Sequence, residues 1–284
     1  MRNRLHAVLI GLVAMLGVGL VAPAPAGAIT GGLVDSKDTY KNVGIIVFYD
    51  ATGRYRCTAT LVTPTVLLTA AHCTTGTVGK TIVNFDWFID EEPPSDLPRA
   101  GGDGYTAAPE GWYSGTAVTH PQYSDFTDME NWNDVGVVLL DEPVPGITPA
   151  KLAPLNQLEQ YRQPALNSTL FRVVGYGTEV RQATDGPRKP TPESYPIERR
   201  YTDVVGQKLT PQILQVNGNE HDPRGGGGSC FGDSGGPTFD SAGYLVTVTS
   251  YGYTGNCRYL DGLQRVDIAV VQDWLDDFEV FPAA

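Results

Sequence analysis

Cysteine is scarce in this chain, with 4 in 284 residues, and none of the four stands in a CxxC pair. The only imidazole near them is His72, adjacent to Cys73. Structural zinc sites gather thiolates and imidazoles at closer, paired spacings, so no metal site is expected. Basic residues are also short: 20 Lys and Arg face 32 Asp and Glu, a formal net charge of −12. Such a surface repels phosphate backbones and anionic headgroups, which argues against nucleic acid or membrane lipid as a partner. The acidity reads as solubility outside a cell. Beyond residue 28 no apolar run is long enough to span a bilayer. No segment recurs at a fixed period, and no linker sets off a second functional domain.

The N-terminus has what the rest lacks. Arg2 and Arg4 lead an almost unbroken apolar run from Ala7 to Leu20, closed by small residues in an A-x-A pattern at Ala26 and Ala28. Residues 1–28 therefore read as an export signal rather than a membrane anchor, because small residues and prolines follow the run instead of a stop-transfer charge cluster. Without Arg2 and Arg4, 18 basic side chains face 32 acidic ones, a charge of −14. Cys57, Cys73, Cys230 and Cys257 in an exported chain admit three disulfide pairings, which sequence alone leaves open.

The remainder, residues 29–284, has the texture of an all-β protein. Short runs rich in Val, Ile, Thr and Tyr at 43–49, 58–63, 66–70, 81–85, 135–140, 170–175 and 245–251 alternate with turn residues. Gly 33 and Pro 21 supply the punctuation. Repeated short strands suggest a sandwich or barrels. At 266–278 the apolar Val266, Val270, Val271, Trp274, Leu275 and Phe278 share one face at helical spacing, which predicts a C-terminal helix. Residues 86–115, 180–196 and 220–228 read as loops, the last ending in four glycines.

Three segments carry reactive side chains in arrangements that suit acyl transfer. Cys230-Phe-Gly-Asp-Ser-Gly-Gly-Pro237 places Ser234 among glycines, which let backbone N–H groups approach a reacting carbonyl. Thr69-Ala-Ala-His-Cys73 follows an apolar strand, and Asn133-Asp134-Val-Gly-Val-Val-Leu-Leu140 sets an acid in front of another. Each alone has a bland reading: a turn serine, a packed imidazole, a loop-ending acid.

Together, and in the order histidine, aspartate, serine, they resemble the trypsin/chymotrypsin family of serine proteases. Ile29-Thr-Gly-Gly32, His120-Pro-Gln-Tyr123, Val174-Gly-Tyr-Gly177 and Ser250-Tyr-Gly252 resemble further family segments, so the likeness runs over nearly all of 29–284. The resemblance implies two six-stranded antiparallel β-barrels with a C-terminal α-helix and a cleft between the barrels. It implies Ser234 as nucleophile, His72 as base and then acid, Asp134 as the group that orients the imidazole, and the N–H groups of Gly232 and Ser234 as oxyanion hole. It also implies Cys57–Cys73 and Cys230–Cys257 disulfides. Protein or peptide substrates, protein protease inhibitors as partners, a monomer, and no metal or organic cofactor follow from the same likeness.

Family members free an Ile or Val amine that pairs with the acid before the nucleophile. Here that pair would be Ile29 and Asp233, and cleavage after Ala28 would create it directly. The implied substrate pocket comprises Gly228, Ser229, Ser250, Tyr251, Gly252 and Asp261. Gly228, where relatives that cut after Arg or Lys hold an aspartate, predicts apolar or aromatic preference. Asp261 facing the pocket floor predicts Arg or Lys instead. The alternative is that Gly262 takes that place and Asp261 is a solvated loop acid. Two rival functions are a silent binding protein on the same fold and an esterase using the same triad. Asn167-Ser-Thr169 matches a glycosylation acceptor, and the acids of 86–103 lack the ordered spacing of a calcium loop.

Overall fold

The computed structural model describes residues 29–91, 97–181, 191–193 and 195–283. The expected export signal, residues 1–28, lies outside these, as do parts of the loops at 86–115 and 180–196.

Six antiparallel strands close a first barrel: β1 Val43–Tyr49, β2 Arg54–Thr63, β3 Val66–Thr69, β4 Val78–Asn84, β5 Tyr113–Thr119 and β6 Gly136–Leu140. Their order is β1-β2-β3-β6-β5-β4, with β4 returning to β1. A second set follows: β7 Leu170–Gly175, β8 Arg200–Leu209, β9 Ile213–Asn217, β10 Pro237–Phe239, β11 Leu245–Gly252 and β12 Leu260–Arg265. They run β8-β9-β12-β11-β10-β7, and pairing of β7 with β8 closes this barrel as well. The two barrels have the same strand order although the sequence carries no repeat.

The burial pattern explains why the strand runs look continuously apolar. Along β1, Val43, Ile45 and Val47 join one core cluster while Ile46 and Phe48 join another. Successive side chains point to opposite faces of a strand, so both faces of β1 are buried. One cluster fills the first barrel with residues such as Leu61, Leu67 and Val138. Another fills the second with Phe171, Val204, Leu214 and Leu263. A third joins β1, Val174, Tyr176 and Val248 to the C-terminal segment.

All seven sequence-read runs are strands. β5, β8, β9 and β12 are not legible because Gly115, Asp203, Gln215, Gly262 and Gln264 interrupt their apolar texture, and β10 is only three residues long. The helix α1 covers Ala269–Leu275 and tightens to a 3-10 turn over Asp276–Phe278. It begins three residues later than the periodicity suggests. Val266 instead pairs by its N–H with Val246 O, so it belongs to the end of the second barrel. His120 ties the first barrel to this helix: its ring stacks edge-on against Trp274 at 4.8 Å, and Nε2 lies 3.2 Å from Val270 O.

Candidate active site

His72 stands on a one-turn 3-10 helix, Ala71–Cys73, at the end of β3. The Cys57–Cys73 disulfide staples that turn to β2. Asp134 precedes β6 and is fully buried. Its carboxylate accepts the His72 backbone N–H at 2.9 Å through Oδ1, and Oδ2 lies 2.8 Å from His72 Nδ1. Ser250 Oγ donates to the same Oδ2 at 2.6 Å, and Trp132 Nε1 donates to Ser250 Oγ at 2.9 Å. The carboxylate thus carries three donors. Its bond to Nδ1 fixes that nitrogen as the protonated one and leaves Nε2 with the lone pair.

Ser234 comes from the loop between β9 and β10, seated against the strand pair that leads to His72. Ser234 O accepts the Thr58 N–H at 2.8 Å, and Gly235 N–H donates to Thr249 O at 2.8 Å. A Cβ on Gly235 would come within 2.0 Å of Thr69 Oγ1, so the loop fits there only as glycine. Among the described residues, the Ser234 hydroxyl and the N–H groups of Gly232 and Ser234 have no hydrogen-bond partner.

Asp233 points the other way, into the protein. Its carboxylate is buried and accepts Gly177 N–H at 2.7 Å and Cys230 N–H at 2.8 Å. A Cβ on Gly177 would lie 2.2 Å from Asp233 Oδ2, so glycine here is what admits the carboxylate. Burial pushes Asp233 up to about 7, against the two amides and the charges of Arg56 and Arg200, which pull it down. Ile29 is fully buried with the second-barrel core, and Thr30 O accepts the Gly228 N–H at 3.1 Å. In the intact chain the Ile29 nitrogen is an amide, and none of the hydrogen bonds reaching Asp233 comes from it.

A cavity of about 210 Å³ opens beside Ser234, lined by Ser229, Cys230, Phe231, Thr249, Ser250, Tyr251, Gly252 and the loop to Cys257. The Cys230–Cys257 disulfide closes its wall. Gly228 and Asp261 lie behind this lining rather than in it. A Cβ on Gly228 would meet Gly218 Cα at 2.4 Å, so no side chain fits at this position. Asp261 is no solvated loop acid. It is 2% exposed, its Oδ2 accepts Ser229 N–H at 2.7 Å, and Gly262 instead lies under the Tyr251 ring. Burial pushes Asp261 up to about 7, opposed by its bonds from Ser229.

Two features had no signal in the sequence. One is a file of aromatic rings from His72 through Phe126, Trp132 and Tyr251 to Tyr253, at centroid spacings of 5.1–5.6 Å. The other is a set of buried amides behind Asp134, with Gln264 Oε1 accepting the Asp134 N–H at 3.1 Å. As for metals, among the described residues only Cys57, His72 and Cys73 bring three possible ligand atoms together, and both sulfurs are spent in the disulfide.

The Trypsin family model matches residues 34–275. The chain is 30% identical over 234 residues to brachyurin of Leptuca pugilator, across 78% of this chain and 86% of that protein. It is 29% identical over 206 residues to a trypsin of Saccharopolyspora erythraea, across 70% of this chain and 77% of that one. Among solved structures, HL collagenase superposes with a TM-score of 0.63 at 17% identity, over 87% of this chain and 97% of its own. Human heparin binding protein does so with a TM-score of 0.58 at 17% identity, over 89% and 99%.

Proposed function

The chain belongs to the trypsin family, and from that premise we propose that it is a secreted serine endopeptidase working through an acyl-enzyme. The observation that carries the reading is the His72–Asp134 pair at 2.8 Å, with the Ser234 carbonyl held by the N–H of Thr58, next to the cysteine that bridges to the His72 turn. In this reading Ser234 Oγ attacks the scissile carbonyl while His72 Nε2 takes its proton. The imidazolium that forms sits against the Asp134 carboxyl group. The tetrahedral oxygen is received by the Gly232 and Ser234 amides, and His72 then protonates the leaving amine. Water repeats the sequence to release the acid. Catalytic hydrogen bonds commonly tighten only when substrate is bound, so the free hydroxyl of Ser234 suits this scheme.

Export removes residues 1–28, and cleavage after Ala28 frees the Ile29 amine. A buried carboxylate without a full countercharge is costly, and an ammonium beside Asp233 would relieve that cost. Ordering of the Gly232 peptide follows from the same pairing. The mature unit is residues 29–284, a monomer acting on proteins or peptides and open to protein inhibitors.

The cavity beside Ser234 is read as the pocket for the residue before the scissile bond. The Asp261 carboxylate lies just behind Ser229 in its lining, so an Arg or Lys side chain is the occupant that supplies the missing charge. A heparin-binding role, which one structural neighbour's name carries, fits poorly. Heparin is a polyanion, and this chain carries a net charge of −12.

The deciding experiment is labelling by an organophosphonate together with cleavage of a peptide library. Labelling lost in Ser234→Ala, with peptide cleavage, supports the endopeptidase. Labelling with ester but no peptide hydrolysis points to the esterase, and no labelling of the processed chain leaves a silent binding protein. N-terminal sequencing of the exported protein tests the Ile29 start.

A further inference from the structure

Behind Asp134, three buried side-chain amides run head to tail across the boundary between the barrels. Gln264, in β12, accepts the Asp134 N–H through Oε1 at 3.1 Å and donates from Nε2 to Gln212 Oε1 at 3.0 Å. Gln212, just before β9, donates from Nε2 to Asn133 Oδ1 at 3.2 Å, and its Oε1 also receives the Asn133 N–H at 3.4 Å. Asn133 Nδ2 then donates to Gln122 O at 3.1 Å. Gln264 and Asn133 are fully buried and Gln212 is 6% exposed.

The sense of the series is fixed. Turning the Gln264 amide over would face its NH2 against the Asp134 N–H, and its oxygen against Gln212 Oε1 and Arg265 O. Turning Gln212 would oppose it to both groups of Asn133 in the same way. Each member therefore holds the next in a single orientation. Asn133 has φ 44, a left-handed conformation that asparagine tolerates, and Val135 N–H closes on Asn133 O at 2.7 Å. That turn sends the two ends of Asp134 in different directions. Its N–H goes to the second barrel through Gln264, and its carboxylate goes to His72 in the first.

We infer that Gln264 and Gln212 are positioning residues for the proposed reaction, fixing the Asp134 carboxylate in register with the second barrel that carries Ser234. Resting on the reading of His72 and Asp134 as the acid–base pair, the inference adds residues that touch no substrate. The other bridge from the second barrel, Ser250 Oγ, holds the carboxylate itself. The amide series holds the backbone from which that carboxylate projects. A satisfied core network would stabilise the fold and nothing more, so the test has to separate the two.

Gln264→Met and Gln212→Met keep the chain volume and remove the amides. Rates are counted per active site by organophosphonate titration. Misplacement of a catalytic group by about 1 Å can cost on the order of a hundredfold in rate. We expect kcat in Gln264→Met to fall roughly ten- to a hundredfold with KM changed less than about twofold. The acid limb of the pH profile should move to lower pH, since a displaced carboxylate stabilises the imidazolium less. Because the amides act in series, the double variant should be no slower than Gln264→Met alone. In a Ser234→Ala background, the His72 Nδ1 proton resonance should shift upfield in both variants. That readout needs no turnover, so it stands even if the endopeptidase reading fails. Lowered thermal stability with unchanged kcat per site, acid limb and Nδ1 resonance would overturn the inference. Should the methionine variants not fold, Asn133→Gly retains the left-handed turn while cutting the series, and unchanged kcat and Nδ1 resonance there would overturn it equally.

Discussion

Asp261 Oδ2 lies 2.7 Å from the Ser229 amide nitrogen, so this buried carboxylate is tied to a residue that lines the cavity beside Ser234. Gly228, the position in front of Ser229, has no space for a side chain because Gly218 packs against it.

Selectivity for Arg or Lys over Leu or Phe should therefore depend on pH. Burial pushes Asp261 up to about 7, so its negative charge grows as pH rises through that value. The ratio of kcat/KM for Arg and Leu peptides is expected to climb several-fold from about pH 5.5 to 8.5, following ionisation of this one group. In Asp261→Asn the ratio should be low and flat. A ratio independent of pH in the parent enzyme would remove Asp261 from specificity.

Given the roles proposed for Ser234, His72 and Asp134, their substitution should be far more damaging. Ser234→Ala and His72→Ala are each expected to lower kcat about 10⁴-fold or more, and the double variant little further, because the residues act as a unit. Stopped assays with the variants purified free of parent enzyme check this. Asp134→Asn should keep the fold, since it can still accept the His72 N–H, yet lose most of the rate through the wrong imidazole tautomer.

Gly177→Ala should uncouple folding from activity. The added Cβ would fall 2.2 Å from Asp233 Oδ2 and force the carboxylate off the Gly177 N–H. Loss of one oxyanion donor typically costs about 2.7–4 kcal/mol, and this variant is expected to lose activity on that order while retaining a cooperative unfolding transition. Full activity in Gly177→Ala would mean that Asp233 does not organise the Gly232 peptide.

Stability should fall as pH rises from about 5 to 8. Asp233 and Asp261 each have a native value near 7 against 3.8 for an unconstrained carboxyl, so in this window the native state holds protons that the unfolded chain has lost. Each group contributes a slope of at most about 1.4 kcal/mol per pH unit, steepest between the two values and levelling off above 7. Groups held down, such as Asp141 beside Lys80, act the other way and weaken the fold only as pH falls into the acid range. Urea unfolding of unprocessed Ser234→Ala protein at pH 5, 6, 7 and 8 measures the slope. A freed Ile29 ammonium would remove the share due to Asp233, so the processed form should be flatter.

The two disulfides should differ in what they protect. Chain-entropy reasoning gives about 3 kcal/mol for Cys57–Cys73 and slightly more for Cys230–Cys257, whose sequence separations are 16 and 27. Replacing either pair by alanine is expected to lower stability by about those amounts in denaturant unfolding. Loss of Cys230–Cys257 should in addition raise KM, because that bridge closes the pocket wall.

The sequence by itself determined the strands whose two faces are both buried, since runs such as 43–49 hold no charged or amide side chain, and it singled out His72, Asp134 and Ser234 by their local motifs and order. It also named the four cysteines, and the two pairings that the family resemblance implies are those the structure joins. What only tertiary structure decided are relationships between residues far apart in the chain. Gln264 and Gln212 are unremarkable letters until two barrels bring them behind Asp134, 130 residues from Gln264. Asp261 and Gly262 are adjacent, and only the β11–β12 register shows which one turns toward Ser229 and which lies under Tyr251. A motif records what a residue can do chemically. Its burial, partners and charge depend on strand pairings that carry no local signature.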